Sequence, residues 1–157
     1  TLDQLSVTEN LVLHTAGGIG SHLFHPDITT ENRIKASEVM EFLGISTLAD
    51  VDMGELSFGQ KKLLDLGAVL MADPDLILLD EPAAGVNLRL LEDIINKLVT
   101  LKNQGKTILL IEHNMDLVMG ISDEVIVMSA GNIIAQGKPS EIQNNTEVLE
   151  AYLGGKA

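Results

Sequence analysis

The 157-residue chain has no cysteine, few cations and no long apolar run. Without cysteine there is no disulfide framework, no thiolate zinc site and no thiol nucleophile, and a reducing cytoplasm is the expected setting. Ten Lys and Arg against 23 Asp and Glu leave a net charge of −13. That excludes a general nucleic-acid grip, which needs clustered cations to neutralise phosphates, and it argues equally against attachment to anionic lipid. No apolar stretch approaches the roughly 20 residues that cross a bilayer. The opening "TLDQLSVTEN" lacks the basic-then-apolar order of a signal peptide. No direct membrane insertion is expected.

What is present is one domain's worth of chain with one sizeable core. The part to about residue 55 reads as helical and loop-rich. Ser6 and Glu9 form a capping box ahead of "NLVLH" and predict a helix from near Val7. A glycine-bearing connection, "TAGGIGSHLFHPDITT", leads to a helix over 31–43 with Ala36, Val39, Met40 and Leu43 at helical spacing and Gly44 as its C-terminal cap. A further helix over 59–72 stops at Asp73-Pro74, and "LILL" at 76–79 reads as a buried strand.

From there the order alternates: helix 88–103, strand 107–111, helix from about Met115, strand 124–128. Continuous apolar strands alternating with helices predict a parallel sheet covered on both faces. "SAGN" at 129–132 turns the last strand into an edge hairpin, and two short helices finish the chain. The expected organisation is a helical subdomain over 1–72 and an α/β part over 73–157.

The chemistry concentrates at "LILLDEPAAGVN", residues 76–87, where two carboxylates follow a buried strand. Asp80 falls at a strand's carboxyl end, where open parallel sheets bind ligands. A carboxylate there can hold Mg²⁺ through water, and Glu81 beside it can polarise an attacking water. The plainer alternative is an Asp capping a turn with a solvated Glu. Upstream, "LSFGQ" at 56–60 starts a helix whose Ser57 hydroxyl and Gly59 N–H could meet an anion. Downstream, "LLIEHN" sets His113 just past another strand.

Those stretches, in their order and spacing, resemble the nucleotide-binding subunit of ATP-binding cassette (ABC) transporters. "LSFGQ" is similar to the signature motif, "LILLDE" to the Walker B strand with its glutamate, "AGVN" to the D-loop, and His113 to the switch histidine. The resemblance covers roughly residues 5–155. "DEPAAGVN", "IEHNMDLVMGISDEVIVMSAGNIIAQG" and "EVLEAYLGG" resemble more narrowly the ATPase subunits of branched-chain amino acid importers.

The resemblance implies a P-loop NTPase-like partial parallel sheet preceded by the ABC helical subdomain, with ATP and Mg²⁺ as cofactors. It implies that Asp80 orients the metal, Glu81 activates the hydrolytic water and His113 contacts the γ-phosphate. Ser57, Phe58, Gly59, Gln60 and Asn87 would act across a dimer, on the nucleotide held by a second nucleotide-binding subunit. Asn87 stands where the family's D-loop most often has Asp. Membrane permease subunits are the further implied partners, and the inner face of the cell membrane the implied location.

The family's phosphate loop, its Q-loop glutamine and its aromatic base-stacking residue have no counterpart here. A glycine-rich loop with a lysine should cradle the phosphates. "GGIG" at 17–20 lacks the lysine. "GKT" at 105–107 lies between a helix and a strand in the wrong order and reads as a helix cap. "GNIIAQGKP" at 131–139 has the wrong spacing and ends in Pro139. The chain is therefore expected to be the C-terminal part of a nucleotide-binding domain, unable to hydrolyse ATP alone and inclined to self-associate through an unpaired strand edge.

Two other readings stay open: a non-catalytic module that grips a permease, and a cassette ATPase outside transport, for which neither heptads nor a basic stripe speak. His14, His22 and His25 are read as a solvated loop, and Lys61-Lys62 as a solvated helix face.

Overall fold

The computed structural model describes residues 3–15 and 29–153. By contacts the chain divides into two units, Thr1–Leu110 and Ile111–Ala157.

In the first unit, helix α1 (Val7–Leu13) starts at the expected capping box. Ser6 N–H donates to Glu9 Oε2 at 2.9 Å, and Glu9 N–H donates to Ser6 Oγ at 3.2 Å. Helix α2 (Thr30–Leu43) is capped by Thr29 and ends at Gly44, whose φ of 73° is the left-handed conformation that glycine adopts freely. Helix α3 (Phe58–Met71) follows two 3₁₀ turns, Ser46–Leu48 and Met53–Glu55. The three α-helices pack on one another pairwise. They bury Leu11, Ala36, Met40, Leu43, Leu63 and Leu64.

Gly67 explains how closely they approach. A Cβ there would lie 2.9 Å from Leu43 Cδ1 and 3.0 Å from Leu11 Cδ2, so the absent side chain is what admits both leucines. Leu5 and Val7, at the entry to α1, join this body through Met53 N–H to Leu5 O at 3.0 Å and Val7 N–H to Val51 O at 3.0 Å. Lys97, on helix α4 (Leu88–Asn103), donates to Phe42 O at 3.0 Å and stands 5.6 Å from the Phe42 ring. It satisfies an end carbonyl of α2 and places a cation at that helix's negative pole.

Strand β1 (Leu76–Asp80) and strand β2 (Thr107–Ile111) are neighbours in a two-stranded sheet, with α4 as the crossover. Ile77 is fully buried and Leu79 half-buried, whereas Leu76, Leu78 and Leu109 are 52%, 63% and 57% exposed. The expectation of a sheet covered on both faces is thus corrected. A continuous apolar strand reads as buried twice over, but among the described residues of β1 only Ile77 is buried and Leu79 partly so.

The unit Ile111–Ala157 contains helix α5 (Met115–Ile121), the antiparallel pair β3 (Val125–Ser129) and β4 (Asn132–Gly137), and helices α6 (Pro139–Ile142) and α7 (Thr146–Leu153). The hairpin register runs from Val125 opposite Gly137 to Ser129 opposite Asn132, with a bulge at Val127/Met128. Its two loop residues, Ala130 and Gly131, have φ of 46° and 80°, as a mirror-image two-residue turn requires. Val125, Ile142 and Val148 form its core, with Met115, Val118 and Ile134 packed against them.

Candidate functional site

The carboxylate pair sits where the sequence puts it. Asp80 is the last residue of β1 and Glu81 the first beyond it, both exposed. Glu81 has a φ of 44°, in the left-handed region that a residue with a Cβ seldom enters. Such a conformation costs on the order of 1–3 kcal/mol and is found where function demands it. It breaks the strand abruptly and sends the chain into the turn 82–85. A pocket of about 210 Å³ opens at this point, lined by Lys62, Asp65, Leu66 and Val69 of α3, by Leu79, Asp80 and Pro82, and by Ile94 and Leu98 of α4.

The "LSFGQ" stretch forms the start of α3. Ser57 is its N-cap, and a capping box closes it: Ser57 N–H donates to Gln60 Oε1 at 2.8 Å, and Gln60 N–H donates to Ser57 Oγ at 3.4 Å. The hydroxyl keeps its own proton for another acceptor. Phe58 is 58% exposed. Its ring is not simply solvated, for Lys62 Nζ stands 5.8 Å from the centroid. Lys62 is half-buried in the pocket that Asp80 lines. The reading of Lys61-Lys62 as a plain solvated face therefore fails for Lys62, because its helical position turns it toward Phe58 and the carboxyl end of β1.

Asn87 is the N-cap of α4, with Oδ1 accepting the Leu90 N–H at 3.0 Å. Asn and Asp cap helices about equally well, so the departure from the usual Asp removes a charge and keeps the local structure. The turn between Glu81 and Asn87 also touches α3. A Cβ on Gly85, whose φ is 73°, would stand 3.0 Å from Phe58 Cε1. A Cβ on Gly59 would collide with Leu90 Cδ2. Sequence reasoning took these stretches one at a time and missed that contact. The spaced glycines at 59 and 85, each facing a large apolar residue of the other stretch, were its only signal.

His113 belongs to the second unit, exposed and two residues past β2. The Glu112 carboxylate accepts from the backbone N–H groups of His113, at 3.1 Å, and of Asn114, at 3.2 Å. Asn114 in turn caps α5 by accepting the Leu117 N–H at 3.1 Å. The residues 112–114 are thus held as a braced turn that displays the imidazole.

The lysine of "GKT" has a structural use. Lys106 follows Gly105, which ends α4 with a φ of 91°, and its Nζ lies 2.7 Å from Asp73 Oδ1. That supports the reading of the stretch as a helix cap. "GGIG", His22 and His25 lie outside the described residues. Among the described residues no three of His, Asp and Glu gather as a metal cage. The oxygen donors of Asp80 suit Mg²⁺, which keeps several waters and takes one or two carboxylates.

A family model described as "ABC transporter" matches residues 1–84, and one described as "Branched-chain amino acid ATP-binding cassette transporter" matches residues 132–157. The chain belongs to the ABC transporter family. The probable branched-chain amino acid transport ATP-binding protein LivG of Archaeoglobus fulgidus is 38% identical over 161 residues, covering 99% of this chain and 62% of that protein. The high-affinity branched-chain amino acid transport ATP-binding protein LivG of Salmonella typhimurium is 34% identical over 160 residues, with 96% and 63% covered. Among solved structures, the ADP conformation of MJ1267, an ATP-binding cassette of an ABC transporter, matches with a TM-score of 0.83 and 37% identity over 98% of this chain and 64% of that one. The α/β, P-loop NTPase-like fold of the ABC cassette is therefore established. The chain spans somewhat less than two thirds of the length of these relatives.

Proposed function

We propose that this chain belongs to the ATP-hydrolysing subunit of an ABC importer for branched-chain amino acids, carrying its helical subdomain and its Walker B, D-loop and switch region. The observation that carries it is the Asp80-Glu81 pair at the end of β1, with Glu81 held at a φ of 44° beside a pocket that Lys62 and Asp65 line. The names of the relatives support the solute class.

In this reading Asp80 would hold Mg²⁺ through water, and the ion would supply neutralisation of phosphate charge when bound. Glu81 accepts the proton of the attacking water, and His113, displayed by its braced turn, reaches the γ-phosphate. Ser57, Phe58, Gly59 and Gln60 present the N-terminus of α3, a positive helix pole, to the nucleotide of a second nucleotide-binding subunit, with Asn87 at the same dimer interface. The segment from Val7 to Asp52 meets the membrane permease, which places the subunit on the cytoplasmic face of the membrane. The helical part is then one subdomain (1–72) and the Walker B, D-loop and switch region the other (73–157).

On its own the 157-residue chain does not hydrolyse ATP, since no lysine-bearing phosphate loop stands among its motifs, and it self-associates through the unpaired edge of strand 107–111. The test is Glu81→Gln in a full-length subunit assembled with its permease. Turnover should fall about 10²-fold or more, and turnover within about threefold of the native rate would rule out the role given to Glu81.

A further inference from the structure

The signature turn and the D-loop hold each other through two reciprocal contacts. From α3, Phe58 lays its ring edge on Gly85, with Cε1 3.0 Å from where a Cβ would be. From α4, Leu90 lays Cδ2 against Gly59, in the space a Cβ would need. Each stretch contributes one large apolar side chain and one glycine, so each fills the other's gap. Gly85 also needs glycine for its φ of 73°. Gly59 does not: it lies in α3 with no positive φ, where alanine would favour the helix. What a side chain at 59 would meet is Leu90, whose Cδ2 would have to shift to admit it.

We infer that Leu90 is a positioning residue, which fixes the N-terminus of α3 against the D-loop so that the signature and D-loop residues approach a ligand as one rigid body. The chain of causes is local. Asn87 Oδ1 accepts the Leu90 N–H at 3.0 Å and sets the first turn of α4. That turn aims Leu90 at Gly59. Gly59 lies inside the Ser57–Gln60 capping box, whose backbone groups would otherwise fray as helix ends do. Lys62 Nζ stands 5.8 Å from the centroid of the same Phe58 ring. The catalytic meaning of this interlock rests on the ATPase reading above; the interlock itself does not.

A double-mutant cycle on the 157-residue chain tests the contact, reading the denaturant midpoint. Gly59→Ala should lower the midpoint in the native background and leave it unchanged or raise it in the Leu90→Ala background, where the helix preference for alanine acts unopposed. The same shift in both backgrounds overturns the contact. Should Gly59→Ala not fold, hydrogen exchange decides: Leu90→Ala should speed exchange at the amides of Gln60 and Lys61 while amides near Met71 stay as they are, and uniform protection overturns it.

The positioning role is read in the assembled transporter. There Leu90→Ala should lower kcat by about tenfold or more, leave the KM for ATP within about twofold, and be largely rescued by Leu90→Met. An unchanged kcat alongside a positive cycle overturns the positioning role. A native complex with no ATPase activity instead overturns the earlier functional reading, and the cycle then still decides the interlock.

Discussion

Lys106 Nζ lies 2.7 Å from Asp73 Oδ1, an ion pair joining the residue that ends the approach from α3 to the one that leads into β2. The neighbouring backbone is tied as well, by Thr107 N–H to Asp75 O at 2.9 Å. The two strands of the first unit are thus drawn together at the end opposite Asp80.

The ion pair predicts a pH dependence. The hydrogen bond from Lys106, and then its charge, hold the Asp73 carboxyl below its ordinary value of 3.8. Hydrogen bonds from the Ser6 backbone, and then from its hydroxyl, hold Glu9 below 4.5. Because both folded pKa values are the lower ones, their stabilisation is present above the ordinary values and is lost as pH falls through the depressed ones. Asp73 is exposed, so its pair contributes no more than about 0.5 kcal/mol. Asp73→Asn should therefore lower the denaturant midpoint slightly at pH 7, by an amount that shrinks only as the pH falls below the ordinary carboxylate range.

Gly67→Ala should destabilise the three-helix body by about 1–3 kcal/mol. The helix preference of alanine, about 1 kcal/mol, works against that loss, yet a Cβ 2.9 Å from Leu43 Cδ1 and 3.0 Å from Leu11 Cδ2 must displace both leucines. Thermal unfolding of Gly67→Ala beside Gly67→Ala/Leu43→Val checks whether the clash is the cause, since the shorter side chain should recover part of the loss.

At residue 81 the usual order of substitutions should reverse. With φ at 44°, Glu81→Gly should be more stable than Glu81→Ala by about 1 kcal/mol, because only glycine enters that region without cost. Both variants lose the carboxylate, so comparing midpoints separates the backbone's demand from the side chain's chemistry. Equal midpoints would mean the turn relaxes once the carboxylate is gone.

The hairpin loop allows a gain. Ala130 occupies the first of two positive-φ positions, where Asn is favoured over alanine. Ala130→Asn should raise stability by roughly 0.5 kcal/mol, measured as an upward shift of the thermal midpoint.

Light scattering checks self-association. The native chain should exceed its 16.9 kDa mass, and Leu109→Lys, which places a charge on the exposed strand 107–111, should bring it toward the monomer.

Legibility followed the range of each force. Caps and turns depend on neighbours three or four residues away, so Ser6–Glu9 and Gly44 were readable, as were helix 88–103 and strand 107–111. Hydrophobic periodicity reports that a residue prefers burial, not that a partner arrives, and so Leu76, Leu78 and Leu109 were taken as covered. Asp80, Glu81 and His113 were found through motif order, but the packing of Phe58 on Gly85 and of Leu90 on Gly59 crosses some thirty residues of chain and leaves no periodic trace. The strain at Glu81 is equally silent, because glutamate gives no sign of left-handed backbone.

The outward leucines of β1 and β2 also carry a thermodynamic consequence. Unfolding a chain raises its heat capacity mainly by wetting apolar surface, ordinarily by about 12–15 cal/mol/K per residue. Leu78 at 63% exposure and Leu109 at 57% are already largely wet in the folded state. They add little to that increment, and calorimetry of the monomer should give a smaller heat-capacity step per residue and a flatter stability curve than other folds of this length. Covering the same face would steepen the curve, so the curvature of stability against temperature measures how completely that surface is occupied.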